Sequence, residues 1–405
     1  MASDELLGDM AALLLLPPPP SVRFEQFKDA YESSLSTVFE KLAHDLNGVN
    51  GIAILDIAIT IPGLLSQSSE PRAKIFPSLQ HYLANMYRLI GIVSAEHNIE
   101  LDAPDGIDAR VIFIDNPAAS AERSEAPRHG PIVNLQTLAA SARLWNWIYY
   151  PDNDAGKELA ATFDGIYSKT KDVNAGTLHP LSGSPTWSSS EHLLFLERDS
   201  PLTPHYSVAV GGTFDHFHIG HKLLLTATAM ALEPVEEFDP IPERMLSVGV
   251  TGEALLKNKK YAEFLESWEE RCQGAVSFLM AIMDFSPPDK SAPRIERVTQ
   301  PGPNGHYILL KIRSGLTLKL VEISDPFGPT ITDQSIDALV VSAETRSGGA
   351  AVNDERAKKG WKSLDVYEID VLHSGEVPST DGESFASKIS STDIRRRRME
   401  MAAAQ

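Results

Sequence analysis

The sequence predicts an α/β protein: a doubly wound, parallel-sheet domain in the C-terminal half, preceded by a smaller α/β domain. Three observations carry this expectation. Apolar strand-like runs alternate with helical stripes along most of the 405 residues, the pattern of repeated βαβ units. One such run, within residues 208–222, leads into two glycines, a short loop and the opening of a helix. A loop-like stretch over 152–204, with Pro, Ser and Gly clustered, puts a domain boundary near residue 200.

Taken in order, residues 1–21 read as a disordered tail, acidic at its start and stiffened by four prolines from Pro17 to Pro20. Residues 22–200 read as the N-terminal α/β domain plus linker. Phe24, Phe27, Tyr31, Leu35, Val38, Phe39, Leu42 and Leu46 fall on one helical stripe, which Asn47-Gly48 ends. Residues 52–61 read as a strand stopped by Pro62-Gly63, 79–93 as a second helix, 111–114 as a second strand, 135–150 as a third helix and 192–197 as a short strand. This half holds no nucleophile motif, glycine loop or metal-ligand cluster. It is expected to be a packing or oligomerisation module, and is the natural carrier of any scaffold role.

Residues 201–405 read as the second domain. Strands are expected at 207–210 and 245–250, with helices at 218–232 and 264–283. Residues 295–298 and 307–323 have strand character, with a hairpin turn at Ser314-Gly315. The fully apolar run 338–341 suits a central parallel strand, and the alternating run 365–371 an edge strand. Helices at 353–361 and 392–401 complete the set.

The net charge of −19 argues against broad binding to nucleic acid or anionic membrane, both of which need a basic field. An anionic substrate would need a local basic pocket. The lone cysteine, Cys272, excludes an internal disulfide framework and reads as a helix core thiol in a reducing compartment. No apolar run approaches the ~20 residues of a membrane-spanning helix. The acidic start resembles neither a secretory nor a mitochondrial leader. The cytosol is the expected location, with nuclear access open.

The chemistry concentrates in Val-Ala-Val-Gly-Gly-Thr-Phe-Asp-His-Phe-His-Ile-Gly-His-Lys, residues 208–222. Gly211 and Gly212 carry no Cβ, so backbone can approach a ligand closely. The helix start that follows offers unpaired N–H groups and a positive dipole end, an anion site. His218 and His221, three apart, would share a helix face. Zinc ligation by His216, His218 and His221 with Asp215 is the rival reading of the same residues.

Gly-Gly-Thr-Phe-Asp-x-x-His-x-Gly-His resembles the first signature of the nucleotidylyltransferase superfamily, whose catalytic domain is Rossmann-like. Three further stretches narrow the resemblance to eukaryotic-type phosphopantetheine adenylyltransferases. They are the Val-Gly-Val-Thr-Gly-Glu-Ala-Leu-Leu-Lys-Asn-Lys run at 248–259, Asp-Pro-Phe-Gly-Pro at 325–329 with Val-Val-Ser-Ala-Glu-Thr at 340–345, and Ile-Ser-Ser-Thr-Asp-Ile-Arg at 389–395. All four occur in family order across the C-terminal half.

The resemblance implies adenylyl transfer from ATP to 4′-phosphopantetheine, with Mg²⁺ bridging the ATP phosphates and no metal ligand from the protein. It implies His218, His221 and one lysine, Lys257 first and Lys259 second, as catalytic groups, with Lys260 beside them. Gly211, Gly212, Gly220 and the Phe214 backbone would approach nucleotide, and Thr213 the acceptor phosphate. Ser390, Ser391 and Thr392 would contact the outer phosphates with help from Arg395, and Arg346 would clamp the triphosphate. Asp215 would orient the loop, and Arg396, Arg397 and Arg398 read as a solvated helix face. Lacking the glycine-lysine phosphate loop of the animal bifunctional enzymes, the chain is not expected to add the following kinase step. Two alternatives stay open: another phosphate acceptor, as in cytidylyltransferases, and a nucleotide-binding scaffold for other enzymes of coenzyme A synthesis.

Overall fold

In a computed structural model, described over residues 10–47, 51–65, 71–101, 106–116, 129–170, 176–189, 193–194, 203–234, 242–286, 293–300, 302–313, 315–370, 372 and 390–403, the chain builds two sheets in succession. The first contains β1 (Met10–Leu16), β2 (Ala53–Thr60), β3 (Ile107–Asp115), β4 (Ile132–Asn134), β5 (Trp147–Pro151) and β6 (Thr177–Leu181). Its order is β4-β3-β2-β1-β5-β6, and every pairing is parallel. Helices α1 (Phe24–Leu46), α2 (Phe76–Glu96), α3 (Leu135–Ala140) and α4 (Asp154–Thr170) accompany it.

The second sheet contains β7 (Ser207–Gly212), β8 (Arg244–Thr251), β9 (Arg294–Thr299), β10 (His306–Arg313), β11 (Leu316–Ile323), β12 (Ala338–Ser342) and β13 (Asp365–Ile369). Helices α5 (Ile219–Ala231), α6 (Glu253–Leu256), α7 (Trp268–Met283), α8 (Arg346–Lys358) and α9 (Ser391–Ala403) go with it. The order is β13-β12-β7-β8-β11-β10-β9. The first five are parallel, and β10 and β9 extend the sheet antiparallel. The chain order reverses between β7 and β12, the switch point at which open α/β sheets bind ligands beyond the strand C-termini. The doubly wound fold and the edge position of β13 agree with the sequence.

Residues 10–16 correct the expected tail. They are the strand between β2 and β5 in the first sheet, with Leu13 to Leu16 fully buried. An unbroken apolar run is what a strand covered on both faces requires; the prolines after it end the strand. Residues 1–9 lie outside the described residues.

Residues 135–150 are likewise not one helix. α3 stops at Ala140, where the Ser141 hydroxyl donates to the Leu138 carbonyl. The aromatic, β-branched run from Trp147 then becomes β5, because it sits between β1 and β6. The loop expected over 152–204 contains α4 and β6. Asn153 caps α4 by accepting from Gly156 N–H at 2.8 Å, and Leu159, Phe163 and Tyr167 form its buried stripe. The short strand expected at 192–197 and the hairpin residue Ser314 fall largely or wholly outside the described residues.

The two sheets share one core. A continuous cluster of buried side chains runs from Leu14, Phe39 and Tyr82 of the first half to Val210, Leu223 and Leu279 of the second. α2 packs on α1 and also on α5. α5 is therefore buried on nearly every face, which explains its almost uniformly apolar sequence. Polar ties cross the same boundary: Gly130 N–H donates to the Met283 carbonyl at 2.9 Å and Ala142 N–H to the Ser286 carbonyl at 3.0 Å. Among the described residues no helix is long and apolar enough to cross a membrane.

A shared core should unfold as one unit. We expect the full chain to melt in a single cooperative transition, and a fragment starting at residue 201 to aggregate when expressed alone. Calorimetry resolving two independent transitions, or a soluble folded fragment, would contradict this.

Candidate active site

β7 ends in Gly211 and Gly212 at the switch point. A Cβ on Gly211 would point into open space, whereas one on Gly212 would meet the Phe214 ring at 3.0 Å. A side chain at the second glycine would thus crowd the buried Phe214 ring. The loop that follows is strained: Phe214 (φ 53°) and His216 (φ 46°) both take left-handed backbone, which costs about 1–3 kcal/mol each. Phe214 is fully buried, with its ring 5.4 Å from that of His221.

A buried polar network holds this loop. Asp215 is fully buried; its Oδ1 accepts from Glu266 N–H at 2.9 Å and its Oδ2 pairs with the Arg395 guanidinium. His216 N–H donates to Glu266 Oε2 at 2.8 Å, and His216 Nε2 donates to the Phe264 carbonyl at 2.7 Å. Arg271, 1% exposed, donates to the carbonyls of Thr213 (2.8 Å) and Glu266 (3.1 Å) and to Thr251 Oγ1. Sequence reading missed Arg271 and Glu266. The available signal was an arginine on the apolar side of α7, among Trp268, Cys272, Ala275 and Leu279.

His218 is the N-cap of α5. Its Nδ1 accepts from Gly220 N–H at 3.1 Å, and His221 Nδ1 accepts from His218 N–H at 3.4 Å, a reciprocal capping box made by two imidazoles. These bonds assign both protons to Nε2. The rings stack at 3.8 Å between centroids. Burial, then repulsion from neighbouring cationic forms, pushes His218 down to about 3 and His221 well below the usual range. Both are neutral near pH 7 and present an N–H outward, a donor and not a lone pair.

The closing segment comes to the same place. Ser390 caps α9, its Oγ accepting from Asp393 N–H at 3.3 Å. Ser391 Oγ lies 3.2 Å from His218 Nε2. The N-termini of α5 and α9 therefore meet at the switch point, which brings two positive dipole ends together. Lys257, Lys259 and Lys260 are exposed on the loop after β8 and α6.

Three expected residues are placed otherwise. Arg395 is 2% exposed, and its three guanidinium nitrogens go to Asp215, the Lys260 carbonyl and Thr392 Oγ1. It ties α9 to the glycine loop from a buried position, and Thr392 is the acceptor of that tie. Arg397 is not a solvated face residue, since it bonds Glu100 at 3.4 Å with 20% of its side chain exposed. Arg346 stands at the start of α8 and is bidentate on Glu368 of β13.

Hydrogen bonds already engage most of the donors that the zinc reading would use. Asp215, His216 and Glu266 form the cluster with ligand-like spacing among the described residues, and His218 and His221 are not part of it. The Asp215 oxygens are taken by Arg395 and a backbone N–H, and His216 Nε2 donates its proton to a carbonyl. The Nδ1 lone pairs of His218 and His221 cap backbone N–H groups. Cys272 is a core thiol, pushed up to about 12 by burial.

The depressed imidazoles have a stability consequence. Between pH 6.5 and about 3 the unfolded chain binds protons at His218 and His221 that the native chain refuses. Native stability therefore falls as pH falls through that window, by up to about 1.4 kcal/mol per pH unit for each histidine. His218→Asn keeps a good cap and should lose less Tm than the parent between pH 7.5 and 5. Equal losses would show that His218 is not held neutral.

Comparison with known proteins adds three findings. Residues 1–187 match a domain of unknown function, DUF8446. An uncharacterized protein of Schizosaccharomyces pombe, C1F12.08, is 34% identical over 264 residues, 65% of this chain and 67% of that protein. Proteins named phosphopantetheine adenylyltransferase also match. The Saccharomyces cerevisiae protein is 34% identical over 46% of this chain and 47% of its own length, and the Pyrococcus abyssi protein 27% identical over 46% of this chain and 87% of its own. This chain thus spans about half the length of the budding-yeast relative. These relatives support a nucleotidyltransferase.

Proposed function

The chain belongs to one family with the Schizosaccharomyces pombe protein C1F12.08, and on that premise we propose that it transfers the adenylyl group of ATP to 4′-phosphopantetheine, releasing dephospho-coenzyme A and pyrophosphate in coenzyme A synthesis. The observation that carries this reading is the meeting of the α5 and α9 N-termini, where His218 and His221 hold neutral Nε2–H groups beside Ser391. Relatives named phosphopantetheine adenylyltransferase support the choice of acceptor.

In the proposed reaction an acceptor phosphate oxygen attacks the α-phosphorus of ATP, and the bond from that phosphorus to the bridging oxygen of pyrophosphate breaks. The nucleophile is already ionised at neutral pH, so no general base is needed. The site has to align the two phosphates and stabilise charge on the α-phosphate oxygens and the leaving group. His218 and His221 donate Nε2–H to the α-phosphate. Gly211, Gly212 and Gly220 permit close approach of backbone, and the Phe214 backbone lies in the same loop. Thr213 faces the acceptor phosphate, Ser390 and Ser391 receive the outer phosphates at the α9 N-terminus, and Lys257 or Lys259 closes over both substrates. Arg346 keeps Nη1 free of Glu368 for the triphosphate. Mg²⁺ carried by the nucleotide would supply neutralisation of phosphate charge, with no ligand from the protein.

The test is incubation of the purified chain with ATP, Mg²⁺ and 4′-phosphopantetheine. Pyrophosphate and dephospho-coenzyme A should appear in equal amounts, and CTP should not replace ATP. Product from CTP, or none with 4′-phosphopantetheine while another phosphate monoester works, would reassign the substrate. His221→Ala should lower kcat about 10²–10³-fold, the typical loss for a donor acting on transition-state charge, while ATP affinity changes far less. Equal losses in kcat and affinity would argue for a binding role alone.

A further inference from the structure

The N-terminal domain reaches the site at its two defining helices. Lys222 directly follows His221, is 2% exposed, and pairs with Asp108 of β3 while donating to the Ala109 carbonyl at 3.2 Å. Arg110 Nε and Nη2 hold the same carboxylate at 3.0 and 2.6 Å, so it stays ionised, down to about 2, through the adjacent Lys222 and Arg110 despite its burial. On the other side, Arg397 of α9 pairs with Glu100. Glu100 and Asp108 belong to one short piece of chain, since Ile107 N–H donates to the Glu100 carbonyl at 2.9 Å. A third tie lies nearby: Asp370, just past β13, donates its N–H to Gln80 Oε1 at 3.1 Å, and its carboxylate meets His81 Nδ1 at 2.7 Å.

We propose that the entry to β3 is a spacer that sets the width of the phosphate site, Asp108 fixing α5 through Lys222 and Glu100 fixing α9 through Arg397. The N-terminal domain is then part of the catalytic machinery without touching substrate, and Glu100, Asp108, Lys222 and Arg397 are positioning residues. The inference rests on the reading that the α5 and α9 N-termini bind the reacting phosphates. Its physical basis is that a misplacement of about 1 Å costs an in-line transfer up to about 100-fold while ground-state binding tolerates it.

The exposed half of the spacer is the one to break, because Asp108→Asn would take the carboxylate away from a buried lysine and endanger folding. Arg397→Glu in the full chain should lower kcat about 10- to 100-fold, with KM for ATP within about twofold and Tm little changed. Arg397→Lys should retain most of the turnover, and the swap Glu100→Arg with Arg397→Glu should restore it. Full turnover in Arg397→Glu, or a loss that the swap does not rescue, overturns the spacer. Amide exchange across α9 reads the same contact without activity: Arg397→Glu should speed it, and the swap should slow it again. A parent protein that releases no pyrophosphate with any phosphate acceptor would sink the proposed reaction, and unchanged exchange in Arg397→Glu would then sink the spacer too.

Discussion

Two helices begin face to face at the switch point of the second sheet, and the N–H groups of a first helical turn have no partner within their own helix. Everything around the site answers that deficit. His218 and His221 lend their Nδ1 lone pairs to the cap of α5, and Ser390 caps α9. Gly211, at the end of β7, leaves room beside it for a further atom. An anion there completes both helices at once, and this makes the junction suited to phosphate.

Keeping two helix N-termini together against their dipoles requires compensation, and the buried Asp215 and half-buried Glu266 supply it. Asp215 accepts Arg395 from α9, Glu266 accepts the N–H of His216, and Arg271 closes the loop from α7. Such a pair, taken out of water, adds little net stability, but breaking it by removing one partner costs about 3–5 kcal/mol. Its value here lies in register: few other arrangements satisfy all these groups together. The strained Phe214 and His216 backbone persists because this network over-determines it.

The first sheet repeats the doubly wound plan but closes its own switch point. Beyond β1 the chain has Pro17 to Pro20, so backbone N–H groups are missing where a phosphate loop would need them. The carbonyls of Pro17 and Pro18 accept from the Tyr31 hydroxyl and Trp187 Nε1 instead, and the two rings meet edge to face. Of two similar architectures in one chain, one presents helix ends to solvent and the other is sealed by its own aromatic residues. The two sheets are joined through a common core.

Local patterns determined much of this protein. The stripe of α1, the apolar run of β12, the glycine turn after β7 and the imidazole pair at 218 and 221 each follow from residue spacing, because helix and strand periodicities and backbone freedom act over a few residues. The identities of His218, His221 and Ser391 as neighbours-to-be were legible in the same way, through the motifs that hold them. Tertiary structure decided the rest. Leu13 to Leu16 and the run from Trp147 are strands only because other strands flank them, and nothing within either segment distinguishes a buried strand from a buried helix or a tail. Arg395 and Arg397 look alike beside Arg396 and Arg398. One is sealed against Asp215 and another is held by Glu100 some 300 residues away, because a guanidinium's role is set by the carboxylate or carbonyl that desolvates it, and that partner is chosen by the fold.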